Sequence, residues 1–173
     1  MSVLIVSHDV SWRDKFDHES VQVRRALGRN VLQVHHIGST SIPDILAKPV
    51  IDILVEVSHI DEVDDCARCM IDLNYESLGE FGIDGRRYFK KSEPNGRRAF
   101  HVHVFEHGSR HVTEHIAFRD YLLAHPRKAR EYSDLKARLA ANDVASSREY
   151  QDSKAPFIEA CVRAAIRWSN GQS

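Results

Sequence analysis

Cysteine and proline are scarce in this 173-residue sequence, at 3 and 5 residues, and no low-complexity tract interrupts it. Cys66 and Cys69 form a C-x-x-C, a spacing that elsewhere signals redox chemistry or half of a zinc site. No second C-x-x-C follows, Cys161 lies far away, and apolar residues recur at helical spacing from Ile60 to Leu73. A thioredoxin-like motif belongs at a helix start after a strand. The pair therefore reads as ordinary helix residues in a reducing compartment. No apolar run approaches the ~20 residues needed to span a bilayer, which excludes a membrane helix. Neither charge sign dominates: 24 Lys and Arg face 25 Asp and Glu, a formal net charge of -1. That balance argues against a nucleic-acid binder working by bulk electrostatics. Met1 to Val6 is apolar, with no charged leader and no small-residue cleavage site, so the expected location is the cytoplasm.

What is present is a globular composition, 42% hydrophobic and 28% charged, in a chain of the right length for one domain with a true core. Ser2–Val6 reads as a short strand. Apolar residues at Trp12, Phe16, Val23 and Leu27, stopped by Gly28, predict a helix over 11–27. Alternation predicts a half-buried strand over Val31–Ile37, and the β-branched run Val50–Val57 predicts another. A helix over Asp61–Leu73 follows, then strands at Tyr75–Leu78, Arg86–Lys91 and Ala99–Phe105, with Pro94-Asn95-Gly96 turning the last two into a hairpin. Helical stretches at 111–124, 127–141 and 147–168 end the chain. The expected architecture is a single α/β (α+β) domain over 1–173. Its mixed-sheet core covers 1–108, and the C-terminal helices of 109–173 pack on the sheet.

The chemistry concentrates around Gly38-Ser39-Thr40 and Asp52. A Gly-Ser turn lets backbone N–H groups approach an anion closely, and the Ser39 and Thr40 hydroxyls add donors for phosphate oxygens. Thirteen residues after Ser39, the Asp52 carboxylate sits inside an apolar strand. Such a group is costly unless paired or metal-bound, and it is placed to hold a divalent ion against those phosphates.

Gly-Ser followed by an acidic strand resembles the signature of DNA polymerase beta-type nucleotidyltransferases. The resemblance then narrows to the GrpB family. It is carried by His36-Ile-Gly-Ser-Thr-Ser41, Ala47-Lys-Pro-Val-Ile-Asp-Ile53, Gly85-Arg-Arg-Tyr-Phe89, His101-Val-His-Val-Phe-Glu106 and His115-Ile-Ala-Phe-Arg-Asp-Tyr-Leu122. Tyr150-Gln-Asp-Ser-Lys154 with Phe157-Ile158 extends it to nearly the whole chain. The resemblance implies a nucleotidyltransferase-like fold.

One position departs from the superfamily pattern. The second carboxylate of an Asp-x-Asp or Asp-x-Glu strand is replaced by Leu54, on the same face as Asp52. Glu56 shares that face but stands about 13 Å along the strand, too far to share a site with Asp52, and is expected at its solvent end. His101 and His103 point to one side of their own strand and are the candidate partners for Asp52. In that case catalytic and metal-binding roles fall to Asp52, His101 and His103. The mixed donor set suits Zn²⁺, Mn²⁺, Ni²⁺ or Fe²⁺ better than Mg²⁺. The plainer alternative is a histidine hydrogen-bonded to Asp52 with no metal. Candidate phosphate-binding residues are Gly38, Ser39, Thr40, Lys48, Arg86 and Arg87, with at most one of the two arginines facing the site. Arg119 either faces the pocket or pairs within its helix. The expected ligand is a nucleotide or other phosphorylated small molecule, and the leading activity is metal-assisted nucleotidyl transfer to a small acceptor. Two alternatives stand beside it: a catalytically degenerate binder of a nucleotide or CoA-related metabolite, and a metal-dependent hydrolase built on Asp52, His101 and His103.

Overall fold

A computed structural model describes residues 4–141 and 147–171. Residue contacts divide the chain into two compact units. One comprises Val10–Ile37 and Val50–Thr113; the other gathers Met1–Asp9, Gly38–Pro49 and Glu114–Ser173. The Gly38–Pro49 segment thus groups with the C-terminal helices instead of with the strands on either side of it.

The first unit is built on five strands: β1 (Val31–Ile37), β2 (Ile51–Val57), β3 (Tyr75–Ser77), β4 (Arg87–Ser92) and β5 (Arg98–Glu106). They lie in the order β1-β2-β5-β4-β3, with β2 and β5 parallel and every other pair antiparallel. Because side chains alternate, the register sorts the sheet into two chemically different faces. Ile51, Ile53, Val55 and Val57 of β2 share one face with Val102 and Val104 of β5, and all are buried. Helix α1 (Ser11–Leu27) packs there, burying Trp12, Phe16, Val23 and Leu27, with Phe16 stacked on His36 at 4.7 Å. Gly28, at φ 70° and ψ -149°, ends that helix and donates its N–H back to Arg24. The opposite face carries Asp52, Leu54 and Glu56 from β2, His101 and His103 from β5, and Tyr88 and Lys90 from β4.

Two expectations change. The helix over 61–73 is two short pieces, α2 (Glu62–Asp65) and α3 (Ala67–Asp72), which meet at Cys66 (φ -93°, ψ -1°). Its thiol turns to the Leu27 carbonyl at 3.8 Å, and burial raises its pKa, the reverse of what an activated thiolate needs. Second, of the expected strand at 2–6, residues 2 and 3 lie outside the described residues, and the rest reduces to a single bridge from Val6 to Ala47. The β4–β5 hairpin closes over Pro94-Asn95-Gly96, where Gly96 supplies the left-handed φ of 82°.

In the second unit, α4 (Arg110–Ala124, which begins in the first), α5 (Pro126–Ala141) and α6 (Ser147–Asn170) enclose the Gly38–Pro49 segment. Ile42 and Ile45 are buried among Leu122, Ala129, Tyr132 and Cys161, with Phe118, Tyr121, Phe157 and Ile158 packed around them. Among the described residues no helix is long and apolar enough to cross a membrane.

Candidate metal centre and phosphate-binding loop

Asp52, the second residue of β2, lies directly beside His101 of β5, and His103 follows two residues on along the same face. One oxygen, Asp52 Oδ1, lies 3.3 Å from His101 Nδ1 and 3.3 Å from His103 Nε2. The three ligand atoms all fall within 4.8 Å of one another. A charge-assisted hydrogen bond is usually shorter, at ~2.7–2.9 Å. The two 3.3 Å contacts are long hydrogen bonds to the carboxylate, and one carboxylate with two imidazoles is a donor set that also suits a zinc-like ion. Burial alone would raise the Asp52 pKa, but hydrogen bonds and charge from His101 and His103 outweigh it and hold the carboxyl far below its ordinary value.

Arg86 and Arg87 separate as alternation requires. Arg86 is 6% exposed and directs Nη1 toward His103 Nδ1 at 3.5 Å. A neutral His103 that gave Nε2 to a metal ion would carry its proton on Nδ1, the nitrogen that faces Arg86. Arg87 turns to the other side, bonding Asp64 at 2.7 and 2.9 Å and reaching Asp61 and Glu80. Tyr88 stands beside both histidines, with ring centroids 4.9 Å from His103 and 5.7 Å from His101. Arg119 bonds its neighbour Asp120.

In the other unit, Gly38 takes φ 71° and ψ -175°, a region essentially closed to residues with a Cβ. Its carbonyl accepts both the backbone N–H and the hydroxyl of Ser41, which fixes the turn. Thr40 is buried, and Lys48 lies over the Tyr150 ring at 4.7 Å. Sequence reasoning passed over the group that completes this loop. Lys136 of α5, 2% exposed, donates to Ser39 Oγ at 2.9 Å and to the Leu46 carbonyl, with its ammonium 4.4 Å above the Tyr132 ring. Lys154 of α6 lies 4.5 Å above the Tyr150 ring and is also buried. In sequence Lys136 is one of several charged residues on a helix with no motif around it. Only its period relative to buried Ala129 and Tyr132 marks it as inward-facing.

Desolvation, with Lys154's charge second, lowers the Lys136 pKa to about 7. The unfolded chain keeps an ordinary lysine value near ~10.4. Between those values unfolding takes up a proton, so this group makes stability rise with pH from about 7 to about 10, on the order of 4 kcal/mol in all. Denaturant midpoints at pH 7 and 9.5 should therefore rise in the unsubstituted chain and stay level in Lys136→Met. Parallel slopes would show that Lys136 is not the titrating group.

The GrpB protein family model matches residues 2–164. This chain belongs to the GrpB family. The crystal structure of the conserved protein GrpB from Enterococcus faecalis superposes at a TM-score of 0.90 with 36% identity, covering 96% of this chain and 99% of that one. The UPF0157 protein YqkA of Bacillus subtilis is 40% identical over 171 residues, 99% of this chain, which spans only 49% of YqkA's length. The poly(U) polymerase Cid1, in its MgGTP-bound structure, matches 76% of this GrpB chain and 44% of its own at a TM-score of 0.53 and 11% identity. At that identity the likeness is one of fold, and the fold is nucleotidyltransferase-like.

The GrpB sheet holds a second polar cluster that the sequence did not reveal. Glu56 is not at a solvent end: it is 5% exposed, accepting from His35 Nε2 at 2.6 Å and His107 Nδ1 at 2.7 Å. Leu54, fully buried, separates it from Asp52 on the shared face. The one sequence clue is that two potential partners of the Glu56 carboxylate, His35 and His107, lie in a strand and directly after one.

Proposed function

We propose that this GrpB-family chain binds one divalent transition-metal ion through Asp52, His101 and His103 and uses it to act on a nucleoside triphosphate. In the reaction, the α–β phosphoanhydride of the triphosphate breaks and pyrophosphate leaves with the bonding electrons. An acceptor hydroxyl forms the new bond to the α-phosphorus and yields its proton to solvent. The ion would supply charge neutralisation at the phosphates, and the protein's part is positioning and exclusion of competing charge. The observation that carries this reading is the convergence of three ligand atoms on one face of a nucleotidyltransferase-type sheet. With Leu54 in place of the second carboxylate, the strand provides for one ion instead of two.

A second reading rests on the same triad. Three protein ligands with open positions for water also describe a hydrolytic metal site. Incubation with nucleoside triphosphates and Zn²⁺, Mn²⁺ or Mg²⁺, followed by assays for pyrophosphate and for inorganic phosphate, separates the two. Pyrophosphate release that disappears in Asp52→Ala and His103→Ala supports transfer, and phosphate release with the same dependence supports hydrolysis. Nucleotide binding without product over long incubation would leave a catalytically silent nucleotide or CoA-related metabolite binder. Failure of any nucleotide to bind at millimolar concentration would overturn the nucleotide reading.

A further inference from the structure

Phe81 differs from every other exposed large hydrophobic residue described in the chain. It is 56% exposed, whereas the others, such as Leu4, Val10 and Ile71, are aliphatic. Its backbone sits at φ 46°, a left-handed conformation uncommon for a side chain of this bulk. Such an outlier persists only where its surroundings hold it. Here Arg86 does so, donating Nη2 to the Phe81 carbonyl at 2.8 Å and Nε to the Glu80 carbonyl at 3.1 Å. The Gly85 N–H closes the loop onto Glu80 Oε1 at 2.8 Å. A buried guanidinium thus spends its donors on presenting an exposed ring, while its third nitrogen points to His103.

The ring is presented next to the metal centre. Phe81 lies 5.5 Å from Tyr88, which in turn contacts both histidines. Lys90 stands in register with His101, its ammonium 4.3 Å from the Phe81 ring centroid and 5.4 Å from that of Tyr88. The cation is therefore held over the apolar ring, and both stand against Tyr88, the neighbour of the ligand set. Neither is needed to bind the ion, and neither packs a core.

The geometry points to a subsite in which a planar aromatic or heteroaromatic ring stacks on Phe81 while its anionic substituent pairs with Lys90. This subsite would select a planar, anionic co-substrate for the metal centre, and it rests on the metal-dependent reading above. Ring without charge would lack the Lys90 partner, and charge without ring would lack the stacking surface.

The test is calorimetric titration of the metal-loaded chain with AMP, a ring bearing a phosphate, and with ribose 5-phosphate, the same phosphate without a ring. Phe81→Ala is expected to weaken AMP about 5- to 150-fold, the range for losing one base–aromatic stack, and to leave ribose 5-phosphate unchanged. Phe81→Trp should preserve AMP binding, and Lys90→Gln should weaken it. Phe81 is exposed, so its replacement leaves the core intact, and zinc affinity measured in the same preparation verifies the site. AMP binding equal in Phe81→Ala and the unsubstituted chain, or absent from a chain that binds zinc normally, overturns the subsite and leaves the metal centre standing. Equal weakening of AMP and ribose 5-phosphate in Phe81→Ala also overturns it, because the loss would then not concern the ring. Failure of the unsubstituted chain to bind zinc overturns the subsite together with the reading on which it rests.

Discussion

Replacing Asp52 with alanine is expected to weaken Zn²⁺ binding by at least about 100-fold, the upper end of what losing a supporting outer-shell partner costs a metal site. Asp52 Oδ1 is the shared vertex, 3.3 Å from each imidazole nitrogen, so its removal leaves two histidines with no anionic ligand between them. His101→Ala and His103→Ala should each approach the same loss. Arg87→Ala is the control: Arg87 lies on the opposite side of the sheet, tied to Asp64, and its removal should leave zinc affinity unchanged. Competition against a chromogenic chelator reads all four proteins on one scale. Asp52→Asn keeps the shape and removes the charge, so an intermediate affinity would separate the carboxylate's charge from its geometry. Equal zinc affinity in Asp52→Ala and the unsubstituted chain would reduce the cluster to a carboxylate hydrogen-bonded by histidine.

Glu56→Ala should be among the most destabilising substitutions on the same face, by about 2–4 kcal/mol. A hydrogen bond to a charged group is worth ~1.5–3 kcal/mol, and the contribution through His107 is reduced because that side chain is 67% exposed. For a chain of this size the melting temperature should fall by roughly 5–15 °C. Burial would raise the Glu56 pKa, but the hydrogen bonds from His107 and His35 prevail and lower it. The folded state therefore binds its proton less readily than the unfolded chain, whose value is near ~4.3. This stabilisation is present above that pH and is lost as pH falls through it toward the lower folded value. Glu56→Gln should cost less at neutral pH and flatten the acid limb of the stability curve. His35→Ala should cost more than His107→Ala, since the His35 side chain is the better buried of the two. Melting of Glu56→Ala within about 1 °C of the parent would show that the histidine clamp carries no stability.

Much of the fold was legible because it follows from short-range pattern. The run Ile51-Asp52-Ile53-Leu54-Val55 alternates one carboxylate into an apolar strand, and the period of 2 fixes which residues share its face. Apolar spacing and a terminal glycine located α1 within a residue of its observed limits. The break at Cys66 was not legible, because no proline or glycine marks it; it follows from where two short helices find their packing. Likewise, alternation separated Arg86 from Arg87, but which of the two joins the Asp52 face depends on how β4 registers against β5.

The sequence by itself therefore determined the nucleotidyltransferase-like architecture, the membership of Asp52, His101 and His103 in strands, and the loss of the second carboxylate at Leu54. The first follows from the resemblance to the GrpB family, and the other two are properties of residue type and local period. Tertiary structure decided that β2 and β5 are neighbours in register, placing Asp52 opposite His101. It also decided that Glu56 is buried between His35 and His107, and that Lys136, ninety-seven positions after Ser39, reaches that hydroxyl. Phe81, held outward by Arg86, belongs to the same group. Each of these depends on strand order, register or helix docking between distant segments, and a local period carries no information about which distant partner a side chain will meet.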